Sequence, residues 1–104
     1  MARKGELTLM AVGDIYLTRL SAGSIFKGVH SVLRQADLLL GNQEGPVTDR
    51  GEPILGKAEC GSVWLRGSVG AISAETEVGF SAMTLANNHM MDYGEEGLFQ
   101  TMEL

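Results

Sequence analysis

An apolar run gives way to three polar residues at positions 80–89, which read FSAMTLANNH. Two earlier stretches have the same form: LTLMAVG at 7–13 leads into Asp14, and ADLLLGNQ at 36–43 leads into Glu44. The carboxyl ends of parallel strands lie side by side in an open α/β sheet, so residues that follow successive strands meet in one crevice. We therefore expect Asp14, Glu44 and His89 to be neighbours at a single site.

The apolar runs predict an α/β fold with about three mainly parallel strands, at residues 7–12, 38–40 and 80–86. Each run is nearly continuous, which is typical of a strand covered on both faces. Apolar residues spaced three and four apart predict a helix over 24–35. A second helix over 67–78 should end at Gly79, and a third should begin at Gly94 with acidic residues in its first turn.

The connections between these elements are less regular. Residues 45–61 are rich in glycine, proline and charged residues and predict a long loop, of the kind that is commonly functional. Residues 62–66 either form a short edge strand or lead straight into the second helix.

The chain has 104 residues and can form at most one domain. Its final helix reaches Leu104 without a cap or stop signal, so we expect residues 1–104 to be a single partial domain. A partial sheet has an open strand edge, and such edges invite pairing with a second copy of the chain. A homo-oligomer formed through that edge is one expectation.

Charge and cysteine content exclude several classes of protein. The net charge is −5, and the eight lysine and arginine residues are scattered, which argues against a nucleic-acid partner. Cys60 is the only cysteine, so the chain has no intrachain disulfide and no thiolate metal site. The apolar residues 7–12 are too few for a signal sequence or a membrane span. The sequence as written predicts a cytoplasmic protein with no membrane segment.

Asp14 and Glu44 have the chemistry of metal ligands. A carboxylate at the end of a strand can bind Mg²⁺, Mn²⁺, Fe²⁺ or Zn²⁺. Taken alone, Asp14 is more often a turn or helix cap, and Glu44 more often a solvated loop acid. The recurrence of such residues after three buried strands favours the metal site.

The segment Asn87-Asn88-His89 adds an amide oxygen that can bind a cation and an imidazole that can donate a proton to a leaving group. Asp92 either accepts a hydrogen bond from that imidazole or caps the final helix. The other histidine, His30, lies on a predicted helix and is expected to be a surface or packing residue. Phosphoester hydrolysis fits this set best, because two cations about 3.5–4 Å apart can activate water and hold a phosphoryl oxygen.

Three stretches, AVGDIYLTRL, ADLLLGNQEGPVT and LANNHMMDYGEEGLFQT, resemble the CapA-type poly-γ-glutamate capsule biosynthesis proteins, a branch of the calcineurin-like metallophosphoesterase superfamily. The resemblance implies the N-terminal portion of a layered α/β/β/α metallophosphatase-like fold and an envelope-associated parent protein. It implies Asp14, Glu44 and Asn88 as metal ligands, His89 as proton donor, and Asp92 as part of the same segment. Its substrate would be a phosphoester or a molecule related to poly-γ-glutamate.

The chain also departs from the two-metal phosphatases. Their first strand usually ends in Asp-x-His, and Tyr16 stands here at the histidine position. Glu44 stands where they usually have aspartate. With His30 and His89 as its only histidines, the chain is expected to lack a complete two-cation centre and to be inactive by itself. The alternative function is that of a non-catalytic scaffold or polymer-binding component of capsule synthesis.

Overall fold

The computed structural model describes residues 3–18, 21–60 and 63–104. Three strands, β1 (Leu9–Ile15), β2 (Leu38–Gln43) and β3 (Ala82–Thr84), form one sheet in the order β1-β2-β3. Both neighbouring pairs are parallel. The predicted α/β class with three parallel strands is therefore confirmed.

The register of the sheet aligns the polar ends of the strands. Asp14 pairs with Asn42, and Asn42 pairs with Thr84. The predicted end of the first strand at Val12 is wrong, because the strand continues through Gly13 and Asp14 after a register shift between Ala11 and Asp14. The irregularity keeps Asp14 on the sheet, in one row with Asn42 and Thr84.

Three α-helices accompany the sheet: α1 (His30–Leu33), α2 (Ile72–Val78) and α3 (Gly94–Glu103). Short 3₁₀ segments cover Ala22–Ser24, Leu55–Cys60 and Val69–Ala71. α2 ends at Gly79, whose φ of 99° is left-handed, and α3 begins at Gly94, both as predicted. None of the helices in the described ranges is long and apolar enough to cross a membrane.

The helix predicted over residues 24–35 is wrong over most of its length. Residues 25–29 form turns, and α1 occupies only four residues. Gly28 lies in the middle of the predicted helix, and glycine costs about 1 kcal/mol relative to alanine there. Ile25 and Phe26 still pack against the core, so the apolar spacing reflected burial and did not require a helix.

The segment at 62–66 forms no strand in the part that is described. Ser62 lies outside the described residues, and residues 63–66 have no regular structure. The adjacent Gly67 makes an isolated parallel bridge to Val47. This bridge ties the long loop after β2 to the segment that precedes α2.

The core lies on one face of the sheet. Leu39 on β2 packs with Leu33 of α1 and Val78 of α2. A neighbouring cluster contains Ile15, Leu17 and Ala71. Gly41 leaves room for this packing, since a Cβ there would come within 3.2 Å of the side chains of Ile15, Phe80 and Met83.

The opposite face of the sheet is exposed in the described structure. Leu9 and Leu38 are paired on it and are 59% and 42% exposed. Ala11 and Ala82 on the same face are exposed as well. The prediction that every strand is covered on both faces is therefore wrong here, because the described helices that contribute to the core pack on the side of Leu39.

Candidate functional site

Asn42 joins the two carboxylates that the sequence predicted to be neighbours. Its Nδ2 donates to Asp14 Oδ1 at 2.8 Å and to Glu44 Oε2 at 3.0 Å. Asp14 comes from the end of β1, and Glu44 follows β2, where its backbone N–H donates to the Ile15 carbonyl. The sheet register therefore places Asp14 and Glu44 around one amide group.

The orientation of the Asn42 amide is set by donors on its other side. Its Oδ1 accepts hydrogen bonds from Thr84 Oγ1 at 2.8 Å and from Asn87 Nδ2 at 3.3 Å. With the oxygen facing two donors, the nitrogen faces the two carboxylates. Sequence reasoning treated Asn42 only as a turn residue that stops β2, although its place between the two acids was a usable signal.

Asn87 connects the loops that follow β2 and β3. Its Nδ2 also donates to the Gln43 carbonyl at 2.7 Å, and its Oδ1 accepts from the backbone N–H groups of Gly45 and His89. The adjacent Asn88 is exposed. Of the two asparagines, Asn87 is the one whose side chain is hydrogen-bonded into the cluster, whereas the resemblance implied Asn88 as the ligand.

His89 lies between Glu44 and Asp92 and is 16% exposed. Its Nε2 is 3.9 Å from Glu44 Oε1, and its Nδ1 is 2.7 Å from Asp92 Oδ2. A protonated Nδ1 that donates to Asp92 leaves Nε2 directed toward Glu44. The alternative role of Asp92 as a helix cap is wrong, because α3 has Tyr93 at its N-cap position and no side-chain capping bond.

Asp92 is a buried carboxylate with several donors around it. Lys57 Nζ donates to its Oδ1, and the Leu65 backbone N–H donates to its Oδ2 at 2.7 Å. Burial by itself would raise the pKa of Asp92, but the hydrogen bonds from Lys57, Leu65 and His89 together lower that pKa below its usual value. Asp92 is therefore ionised over the whole neutral range.

Lys57 was not predicted as a site residue. Its Nζ also lies 2.9 Å from His89 Nδ1 and donates to the Asn88 carbonyl at 3.4 Å. The ammonium and the imidazole therefore share one carboxylate. Lys57 comes from the long loop after β2, where the sequence has no periodic pattern that marks it.

The donor types in this cluster suit a divalent cation, although their number is small. Carboxylates are ligands that Mg²⁺ and Mn²⁺ prefer, so Asp14 and Glu44, which share the Asn42 amide group, are the residues that would hold a cation here. Within the described ranges, no three histidine, cysteine, aspartate or glutamate side chains are grouped to hold a metal ion. Tyr16, at the expected histidine position, is 44% exposed.

Fold and cluster together define an α/β protein with acids, amides and an imidazole gathered at the carboxyl ends of parallel strands. The sequence model of the family described as bacterial capsule synthesis protein PGA_cap matches residues 8–104. The chain belongs to this family, and the resemblance to CapA-type proteins is confirmed.

Curated relatives agree with the family assignment. The chain is 32% identical to the capsule biosynthesis protein CapA of Bacillus anthracis over 94% of its own length, and 31% identical to the PGA biosynthesis protein CapA of Bacillus subtilis over 92%. It is also 33% identical to the uncharacterized protein y4sH of Sinorhizobium fredii. The matched region covers 26%, 27% and 22% of these relatives, so the chain spans about a quarter of their length.

Proposed function

We propose that this chain forms part of a poly-γ-glutamate capsule-synthesis protein and supplies one wall of a divalent-metal site that acts on a phosphoester. The observation that carries the proposal is the convergence of Asp14 and Glu44 on Asn42, with His89 Nε2 3.9 Å from Glu44. The names of the two Bacillus relatives, a capsule biosynthesis protein and a PGA biosynthesis protein, support the link to capsule and PGA synthesis.

In this proposal Asp14 and Glu44 bind the cation through their carboxylate oxygens. Their geometry supports this role, because both oxygens already face a common positive partner, the Asn42 amide hydrogens. Asn88 remains a proposed ligand on the basis of the resemblance. Such a cation would lower the pKa of a bound water and polarise a phosphoryl oxygen.

His89 is the proposed proton donor to the leaving alkoxide. Asp92 accepts a hydrogen bond from Nδ1, which fixes the ring and keeps a proton available at Nε2 when the imidazole is charged. Lys57 Nζ donates to the same carboxylate, so the ammonium and the imidazole share Asp92.

A second candidate is a non-catalytic scaffold that holds the polymer or a partner of the synthesis machinery. One observation favours it: the Asn42 amide satisfies both carboxylates without a cation. The exposed Tyr16 in place of a ligand histidine points the same way.

Calorimetric titration with Mn²⁺ tests the metal site on this chain. We expect binding in the unmodified chain and at least tenfold weaker binding in Asp14→Asn, because one of two carboxylate ligands is lost. Glu95→Gln is the matched control, since it removes the same charge from the exposed first turn of α3. Equal affinity in Asp14→Asn and Glu95→Gln would refute the metal site.

Activity is tested on the longest protein that contains this chain, with a phosphodiester and a phosphomonoester chromogenic substrate. Hydrolysis that requires Mn²⁺ and falls at least a hundredfold in His89→Ala supports the catalytic proposal. Mn²⁺ binding without hydrolysis, together with retained polymer binding, selects the scaffold.

A further inference from the structure

A cavity of about 230 Å³ lies between α2, β3 and the end of α3, away from the acid cluster. Gln43 lines it, whereas its neighbour Asn42 belongs to the cluster; adjacent residues of a strand point to opposite faces of the sheet. The cavity therefore lies on the helix-covered side of the sheet. The exposed Thr76 and Ser81 also line it, so the cavity is open to solvent.

Two side chains that line this cavity each have a buried oxygen atom without a hydrogen-bond partner among the described residues: Gln43 Oε1 and Glu75 Oε1. The two residues are only 2% and 5% exposed. Buried acceptors without a partner are rare, because desolvation of a polar atom costs free energy that only a donor restores. Their presence in one cavity indicates a missing donor.

The orientation of the Gln43 amide is fixed by its other end. Its Nε2 donates to the Ile15 carbonyl at 3.3 Å. A flipped amide would place two carbonyl oxygens against each other, so Oε1 is the atom that lacks a partner. Ser81 Oγ accepts a hydrogen bond from the Leu39 N–H, and Thr101 Oγ1 donates to the Gly97 carbonyl; in the described structure neither hydroxyl is bonded to Gln43 Oε1 or Glu75 Oε1.

The remaining wall is largely apolar, with Ile72, Phe80 and Met83 among its residues. Glu75 is the only ionisable side chain among the described residues that line it. The cavity is larger than one of about 150 Å³ that takes benzene. It therefore has room for a small alkyl group attached to a donor.

We propose that this cavity binds a small primary alkylammonium compound, with its N–H groups on Glu75 Oε1 and Gln43 Oε1 and its alkyl chain against Phe80 and Met83. A primary ammonium group has three N–H donors and a positive charge. It can therefore donate to both oxygen atoms and also pair with the negative charge of the Glu75 carboxylate. Burial raises the pKa of Glu75 to about 7, and no charged group among the described residues offsets that rise.

Titration of the chain with n-butylammonium, followed by calorimetry and by NMR chemical shifts, tests the proposal. We expect saturable binding with one site, and shifts at Phe80 and Met83. Tetramethylammonium carries the same charge without an N–H donor and should bind at least tenfold more weakly. Glu75→Gln should also weaken butylammonium binding at least tenfold, whereas Glu77→Gln, an exposed acid on the same helix, should leave it unchanged.

A measurement on the unmodified chain avoids any effect that a substitution has on folding. Butylammonium should raise the melting temperature of the unmodified chain more than tetramethylammonium does, because a ligand that binds only the native state stabilises it. Absence of saturable butylammonium binding would mean that water alone serves the two oxygens and would overturn the proposal. Equal binding of the two ammonium compounds, or no effect of Glu75→Gln, would overturn it as well.

Discussion

Asp92 Oδ2 lies 2.7 Å from Nδ1 of His89, three residues earlier in the chain. The carboxylate is 1% exposed, and it joins the loop after β3 to Lys57 and Leu65 from the loop that follows β2. One buried acid therefore sets the position of the candidate proton donor and holds two long loops together.

Replacement of Asp92 by asparagine should destabilise the fold. The change leaves Lys57, whose side chain is 16% exposed, without its ionic partner, and breaking a buried pair costs about 3 kcal/mol. Urea unfolding of Asp92→Asn measures the loss. Glu103→Gln is the control, because the Arg50–Glu103 pair is more than half exposed and should contribute less than about 1 kcal/mol. Equal losses in the two variants would contradict the central role of Asp92.

Asp92 should also contribute to acid unfolding. Its pKa in the folded protein is below the unfolded value of about 3.9, so the unfolded state binds more protons between these two values. The contribution is complete above the unfolded pKa and is lost as the pH falls through the folded pKa. Unfolding free energies of the unmodified chain and Asp92→Asn, measured at several pH values, should converge in acid.

Glu75 should have the opposite pH dependence. Its pKa rises from 4.5 to about 7 on folding, so the folded state binds more protons and stability falls as the pH rises across this interval. Glu75→Gln removes this loss and should stabilise the chain above neutral pH, on the order of 1–2 kcal/mol after allowance for partial solvent screening. Thermal unfolding at pH 5 and pH 8 measures it, with Glu77→Gln as control. A larger gain for Glu75→Gln at pH 5 than at pH 8 would contradict this assignment.

Gly45 should resist substitution because it holds the turn directly after Glu44. Its φ is 79°, and a Cβ at this position would lie 2.9 Å from the Leu65 Cβ. Gly45→Ala should cost about 1–3 kcal/mol from backbone strain and overpacking. Gly28→Ala is the control, since no atom lies within 4 Å of its added Cβ. Denaturant midpoints of the two variants compare the costs, and a Gly45→Ala midpoint equal to that of Gly28→Ala would rule out the predicted strain.

The substitution Asn42→Ala distinguishes the proposed metal site from the proposed non-catalytic scaffold. Asn42→Ala deprives Asp14 and Glu44 of their shared donor and should destabilise the chain by about 1–3 kcal/mol. If a cation takes the place of that donor, Mn²⁺ should restore much of the lost stability. Melting temperatures with Mn²⁺ and with added chelator decide this, and no recovery with Mn²⁺ would favour the scaffold.

Local signals in the sequence predicted several elements well. Gly79 ends α2 and Gly94 begins α3 because glycine conformation and first-turn charges act within a few residues. The strand positions followed from short apolar runs, although β1 continues to Ile15 because a register shift accommodates Gly13 and Asp14. The prediction of a helix over residues 24–35 was wrong because the spacing of its apolar residues reflects packing around Phe26 and Leu33.

The candidate site was predictable only in part. Parallel topology brings Asp14, Glu44 and His89 together, and that rule needs no detailed structure. Lys57 was missed because its partner Asp92 is 35 positions away. Asn42 was missed although its partner Glu44 is only two positions away, because its role depends on Asp14, which is 28 positions away. The choice between Asn87 and Asn88 depends on side-chain orientation, which adjacent identical residues do not reveal.

The bare side of the sheet has a practical consequence. Leu9 and Leu38 are neighbouring apolar side chains that are exposed to solvent. Leu9 lies on β1, an edge strand of the described sheet, and the outer backbone groups of such a strand can pair with another chain. At high concentration this chain should therefore aggregate and adsorb to hydrophobic surfaces. Purification should use dilute stocks, a constant temperature and a mild detergent.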